Sequence, residues 1–79
     1  MQAKRTLDQL PVGHCATVTA LSACCSPRLT ELGFVPGRKI TALHAAPWGD
    51  PVAYSICGAV IALRRADARF IFIREAAPP

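Results

Sequence analysis

Stretches in which apolar and polar residues alternate recur along the chain, and they predict short β-strands. In residues 16–21, Val18 lies on one side and Thr17 and Thr19 on the other, which is the period of a half-buried strand. Residues 52–57 alternate in the same way. Further strands are predicted at 39–46, 60–63 and 69–73. About five short strands at this spacing favour a small closed β-barrel, because closure removes exposed strand edges.

The segment 27–32 predicts a short helix that plugs this barrel, so the expected class is all-β with a short helix. Pro27 fits the first helical position, and Gly33 can take the left-handed conformation that ends a helix. Leu29 and Leu32 share one helical face. Because so short a helix is not stable alone, both leucines should pack into the barrel. The full predicted core is Leu29, Leu32, Val18, Ile40, Val52, Ile56, Leu63, Ile71 and Ile73.

The last predicted strand presents apolar residues on both of its faces. Ile71 and Ile73 are assigned to the inside, which leaves Phe70 and Phe72 on the outer face. Two adjoining aromatic residues on a surface are unusual for a monomer. They are therefore expected either to be covered by the N-terminal segment or the helix, or to form a contact patch for another protein.

The length of 79 residues limits the chain to one domain, 1–79, with flexible ends expected at 1–5 and 75–79. No apolar run approaches the roughly 18 residues of a membrane span. Residues 1–10 are polar and mixed in charge, unlike a signal peptide, so a cytoplasmic protein is expected. The net charge of +4 favours an acidic partner, an anionic membrane surface or nucleic acid. The charges are scattered, however, as on a solvated surface.

The cysteines and histidines do not have the spacing of a closed metal site. No C-x-x-C motif is present, and reduced thiols are expected in the cytosol. These side chains suit Zn²⁺ better than iron. No obligatory cofactor is expected, and any divalent metal should bind at the surface or between two chains. The candidate ligands are His14, Cys15, Cys24, Cys25, His44 and Cys57.

No recognisable catalytic motif is present, so a binding module is favoured over an enzyme. The histidines have no Ser or Cys partner at a motif spacing, and no glycine-rich phosphate loop follows a strand. One alternative is a small basic barrel that stacks nucleic acid bases on exposed aromatics. The three Phe, one Tyr and one Trp are few and are not interleaved with the arginines, which disfavours it. A metal-responsive interaction module is the other alternative.

Three phrases of the sequence, at 28–37, at 46–52 and at 59–64 followed by Ala68, together resemble the FeoA family. The resemblance covers residues 7–73. It implies an SH3-like β-barrel and a role as an accessory protein of bacterial ferrous iron uptake. It also implies a partner, the FeoB-type membrane iron transporter with its cytoplasmic GTP-binding domain, and hence a place at the inner face of the membrane. Whether such a protein activates GTP hydrolysis or scaffolds the transporter is left open by the resemblance.

A tryptophan between two prolines departs from the family pattern, in which this place usually holds a smaller aliphatic residue. Trp48 lies between Pro47 and Pro51 on a predicted loop, so it either docks back onto the barrel or contacts a partner. The same surface could instead form a homodimer. The candidate partner-binding residues are Trp48, Arg64, Arg65, Arg69, Phe70 and Phe72.

Overall fold

The structure is a computed structural model, and it describes residues 5–24 and 27–75. In chain order, the strands are β1 (Arg5–Thr6), β2 (Cys15–Leu21), β3 (Lys39–Ala45), β4 (Val52–Ile56), β5 (Ala59–Leu63) and β6 (Ile71–Glu75). A single 3₁₀ turn (Leu7–Gln9) follows β1, and the helices are α1 (Pro27–Glu31) and α2 (Arg65–Ala68). In this described part of the chain, no helix is long and apolar enough to cross a membrane.

One antiparallel sheet contains all six of these strands, in the order β1-β6-β2-β3-β4-β5. The all-β class is confirmed, with six strands rather than about five because β1 pairs with β6. Arg5 and Glu75, predicted to be flexible, lie in strands; the remaining predicted ends, 1–4 and 76–79, are outside the described residues. The end strands are β1 and β5, and the 3₁₀ turn packs against α2 and β6.

Several predicted strand ends differ from the structure, and two of the differences are at turns. Cys57 was assigned to a strand, but it forms the β4–β5 turn with Gly58, and both have positive φ, 53° and 78°. That pattern is a two-residue type I′ turn, whose twist matches the strands on either side. Residues 69–70 were also assigned to a strand. They continue the turn of α2, since the amide of Phe70 donates to the carbonyl of Asp67 (3.2 Å).

The core contains eight of the nine residues predicted for it, and the ninth, Leu32, is only partly buried. Ile71 and Ile73 point inward as predicted. Phe34, which was not predicted, is fully buried and replaces Leu32 in the plug. The reason is local: Gly33 takes a φ of 108°, and the amide of Phe34 then donates to the carbonyl of Leu29 (3.0 Å). This helix end turns the chain back so that Phe34 enters the core.

A buried tyrosine links β4 to the 3₁₀ turn across the core. Tyr54 is 1% exposed, and its hydroxyl donates to the carbonyl of Leu7 at 3.4 Å. Burial raises the pKa of Tyr54 to about 12, because the charged phenolate would be poorly solvated there. The phenol therefore stays protonated and holds the 3₁₀ turn over the core.

Replacing the two plug residues separately should distinguish their contributions to stability. We expect Phe34→Ala to lower the free energy of unfolding by about 3–5 kcal/mol, because it leaves a cavity in the core. Leu32→Ala should cost less than about 2 kcal/mol, since part of that side chain is already in contact with water. Urea denaturation of both variants measures the difference. A larger loss of stability for Leu32→Ala than for Phe34→Ala would show that Leu32, and not Phe34, is the main plug residue.

Candidate functional site

The β3–β4 loop, residues 46–51, holds the most exposed aromatic side chain. The loop is closed at its base, where the amide of Ala46 donates to the carbonyl of Pro51 (3.0 Å). A tight turn forms its tip, with the amide of Gly49 donating to Ala46 (2.7 Å). Trp48 lies in this turn and is 83% exposed. Of the two predicted alternatives, the structure therefore has the indole in solvent and not docked on the barrel.

Arg65, the first residue of α2, fixes this loop to the rest of the barrel. Its guanidinium donates from Nε to the carbonyl of Gly49 (2.7 Å) and from one terminal nitrogen to the carbonyl of Asp8 (2.8 Å). Its amide donates to Oδ1 of Asp50 (3.0 Å). Asp50 thus reaches the start of a helix fifteen residues later in the chain. Arg65 is exposed and its hydrogen bonds position the Trp48 loop; its contact with a partner stays a prediction.

Three other predicted partner residues flank α2. Arg64 immediately precedes the helix, and Arg69 follows it; both are exposed. The guanidinium carbon of Arg69 lies 5.0 Å from the centre of the Phe70 ring, within the range of a cation–π contact. Phe70 is half-buried in the turn after α2 and not on the outer face of β6. The amide and the side chain of Arg65 bond to Asp50 and Gly49, so the start of α2 lies beside the Trp48 loop.

Phe72 lies apart from this region, on the outer face of β6. It is half-buried and lines a shallow cavity of about 170 Å³ together with Arg5, Thr19, Ala20 and Ile73. β1 pairs with β6, and Thr6 lies opposite Phe72. The N-terminal segment therefore covers part of the Phe72 side chain, as one of the predicted alternatives held. The cavity was not predicted. It lies beside the register shift between Val18 and Ala20, where the alternation predicted for residues 16–21 is interrupted.

The candidate metal ligands are dispersed over the surface. The exposed side chains of His14 and Cys15 are close to Glu75 and Thr41: His14 Nδ1 lies 2.5 Å from Oε2 of Glu75, and Cys15 Sγ lies 3.3 Å from Oγ1 of Thr41. The other described ligands are on the loop after β2 (Cys24), on β3 (His44) and in the β4–β5 turn (Cys57); Cys25 is outside the described residues. Within 5–24 and 27–75, no three His, Cys, Asp or Glu side chains are grouped to hold an ion. The ligands that the structure describes are therefore not grouped as in a closed four-ligand zinc site.

Glu75 connects three segments at one end of the sheet. Its Oε1 accepts from Arg5 of β1 at 2.7 Å, and its Oε2 contacts His14, just before β2. The hydrogen bond to His14, and then the charge of Arg5, lower the pKa of Glu75 below its ordinary value of 4.5. Both contacts favour the ionised carboxylate. This ion cluster ties the last strand to the first two.

The lowered pKa makes part of the stability depend on pH. A carboxylate whose pKa is lower in the folded state stabilises the fold above its unfolded pKa, and this contribution is lost as pH falls through the folded pKa. We expect Glu75→Gln to be less stable than the parent at pH 7, with the difference shrinking as pH falls below the ordinary carboxyl pKa of 4.5. Urea midpoints across this range measure it.

Glu31→Gln, on the exposed surface of α1, removes the same charge and is the control. Equal pH profiles for the two variants would mean that the contacts with Arg5 and His14 do not stabilise the fold.

Comparison with known proteins shows one consistent relationship. The FeoA domain family matches residues 5–75. Over 41 residues, 52% of this chain, the sequence is 49% identical to the Fe(2+) transport protein A/Fe(2+) transporter FeoB fusion protein of Porphyromonas gingivalis. The match spans only 5% of that much longer relative.

Solved structures agree over most of the chain. The FeoA protein of Chlorobium tepidum superimposes with a TM-score of 0.82 and 35% identity, covering 92% of this chain and 71% of that one. FeoA of Stenotrophomonas maltophilia in complex with zinc has a TM-score of 0.77 and 28% identity, covering 89% of each chain. That protein is described as an SH3 domain protein, so the expected SH3-like fold is confirmed.

Proposed function

The chain belongs to the FeoA domain family, and from this membership we propose that it is a non-enzymatic accessory protein of ferrous iron uptake. It acts in the cytoplasm, at the inner face of the membrane. There it docks on the cytoplasmic GTP-binding domain of a FeoB-type transporter and modulates the transporter. Its partner is thus a protein surface, and the chain itself supplies no catalytic group.

The fusion protein of Porphyromonas gingivalis is the observation that carries this proposal. In it, an Fe(2+) transport protein A and an FeoB transporter are parts of one polypeptide. Joining two parts in one chain makes their encounter intramolecular, at an effective concentration that reaches millimolar for short linkers. A separate FeoA-family chain lacks that advantage, so it needs a docking surface of its own with enough affinity to replace the covalent link.

We assign this role to the Trp48 face, which consists of Trp48, Arg64, Arg69 and Phe70. Trp and Arg are the residue types most enriched among the energetic anchors of interfaces. The loop that carries Trp48 is held by Arg65 through the carbonyl of Gly49 (2.7 Å). Because the loop is already fixed, the chain loses little conformational freedom when the indole binds. Arg65 therefore contributes to docking by positioning the loop.

The charges of the Trp48 face indicate which kind of partner surface it binds. Arg64 and Arg69 are exposed on either side of α2, and the chain as a whole has a net charge of +4. An acidic patch on the GTP-binding domain is the complementary surface. Exposed charges of this kind mainly raise the rate of encounter, and the gain shrinks as salt is added.

Zinc, where it binds this protein, bridges two chains or occupies a surface position. The zinc complex of the Stenotrophomonas maltophilia protein is compatible with a divalent ion in the family. In the described part of this chain the soft ligands do not converge on one point. A second chain is then needed to complete a four-ligand zinc site.

The docking proposal is tested by changing one anchor at a time. We expect Trp48→Ala to weaken binding to the purified GTP-binding domain by at least about tenfold, since loss of an anchor typically costs ~2 kcal/mol. Val12→Ala removes an exposed apolar side chain elsewhere, 49% exposed in the parent, and should bind like the parent. Iron uptake in cells that carry each variant is the second measurement.

Phe72→Ala, checked for folding by denaturation, distinguishes two docking surfaces. Weaker binding for this variant with normal binding of Trp48→Ala would place the contact at the cavity of β6. If the parent itself does not bind the transporter domain, the partnership is wrong in this form.

Calorimetry with Zn²⁺ and Fe²⁺ on the reduced protein tests the metal proposal. We expect zinc to bind more tightly than iron. Where two chains share each site, calorimetry should show one zinc ion for every two chains. His44→Ala and Cys15→Ser, made separately, identify which side chains take part. Tight binding of one Fe²⁺ per monomer would contradict the proposal.

A further inference from the structure

The outer edge of β5 has backbone groups that no strand of the described chain pairs with. β5 is the last strand of the sheet order and pairs with β4 on one side. Across the two-residue turn, Ile56 and Ala59 face each other, and such a flanking pair exchanges both of its hydrogen bonds. Hydrogen-bonded pairs then alternate along the ladder. Ile61 and Leu63 bond to β4, whereas Val60 and Ala62 direct their amide and carbonyl groups outward.

This edge also lacks the features that prevent strand pairing. Natural edges are commonly protected by a charge, a proline, a bulge or a very short strand. β5 has five residues with no charge and no proline, Ala-Val-Ile-Ala-Leu, and its pairing with β4 has no register shift. Val60 is 65% exposed and Ala62 is exposed as well. The opposite end strand is different, because β1 has only two residues and includes Arg5.

We propose that β5 pairs with β5 of a second copy of this chain, antiparallel and centred on Ile61. In this register, Val60 of each copy lies opposite Ala62 of the other. The outward amides and carbonyls of these two residues then form four hydrogen bonds across the two-fold axis. The two copies of Ile61 form the close, non-hydrogen-bonded pair between them. The two six-stranded sheets become one continuous sheet.

A second copy fits this edge because the contact is self-complementary and opposes no like charges. Two basic chains repel each other in general, but the ladder residues here are all uncharged. Arg64 follows β5 directly and would lie opposite Gly58 of the other copy, away from its Arg64. The neighbours on the outer face, Ser55 beside Val60 and Thr41 beside Ser55, are uncharged as well.

The small area buried when two β5 strands pair limits the affinity of the dimer. One pair of five-residue strands buries less than the roughly 1,200–2,000 Å² of a stable interface. The dimer therefore forms reversibly as concentration rises. The pairing does not depend on the transporter and uses β5, so it stands or fails separately from the proposed docking of the Trp48 face.

Amide hydrogen exchange of the full-length protein, measured by NMR from micromolar to millimolar concentration, tests the register. The amides of Val60 and Ala62 should exchange more slowly as concentration rises, because the second copy bonds to them. Those of Ile61 and Leu63 are already bonded to β4 and are the internal control. Unchanged exchange at Val60 and Ala62 up to millimolar concentration would overturn the proposal.

Sedimentation equilibrium of matched variants tests the surface. The parent should shift from 8.4 kDa towards twice that mass, whereas Val60→Lys, with a charge on the edge, should remain at 8.4 kDa. Leu43→Lys adds the same charge at a site 38% exposed on β3, and it should dimerise like the parent. A monomeric parent, a dimeric Val60→Lys, or equal disruption by both variants would each refute the pairing. Circular dichroism confirms that both variants are folded.

Discussion

Burial of the 3₁₀ turn against the core is the contact on which the rest of the barrel depends. The turn packs against α2 and β6, and its Leu7 is fully buried. Two polar contacts hold that turn in place: the hydroxyl of Tyr54 reaches the carbonyl of Leu7, and the guanidinium of Arg65 reaches that of Asp8. A short turn cannot hold such a position alone. The core of the barrel thus depends on polar groups that reach it from β4 and α2.

The same contacts shape the proposed docking surface. Arg65 bonds to the 3₁₀ turn and to the base of the Trp48 loop, so the interaction that closes the barrel also orders the loop that presents the indole. A loop ordered in this way binds with a smaller loss of conformational entropy than a mobile one. The proposal therefore links stability and recognition through one residue.

The two proposed contact surfaces use different parts of the sheet. The Trp48 face is formed by the loop after β3 and by residues on either side of α2. Self-association uses the edge of β5 that points away from β4. Backbone hydrogen bonds dominate the second contact, and an aromatic anchor dominates the first. Because the paired residues Val60, Ile61 and Ala62 do not belong to the Trp48 face, a dimer would present two Trp48 faces at once. Two docking events on one membrane would then be coupled through effective concentration.

The amino-acid sequence by itself determined the features that depend on neighbouring residues. The inward direction of Val18, Ile71 and Ile73 and the helix stop at Gly33 were predicted correctly, because side-chain period and backbone preference act over a few positions. The loop at Trp48 was also recognisable from the prolines on either side, although the sequence left open whether its indole docks on the barrel. These features were enough for the fold class.

Only the tertiary structure decided the features that join distant parts of the chain. Arg65 appeared as one basic residue among several, and its role became visible once Asp8 and Gly49 were brought to it from far along the sequence. Phe34 replaced Leu32 in the core, and a cavity formed beside Phe72 next to the register shift after Val18. The edge at β5 likewise follows from strand order. Such contacts depend on how the sheet closes in space, and no local period in the sequence encodes that geometry.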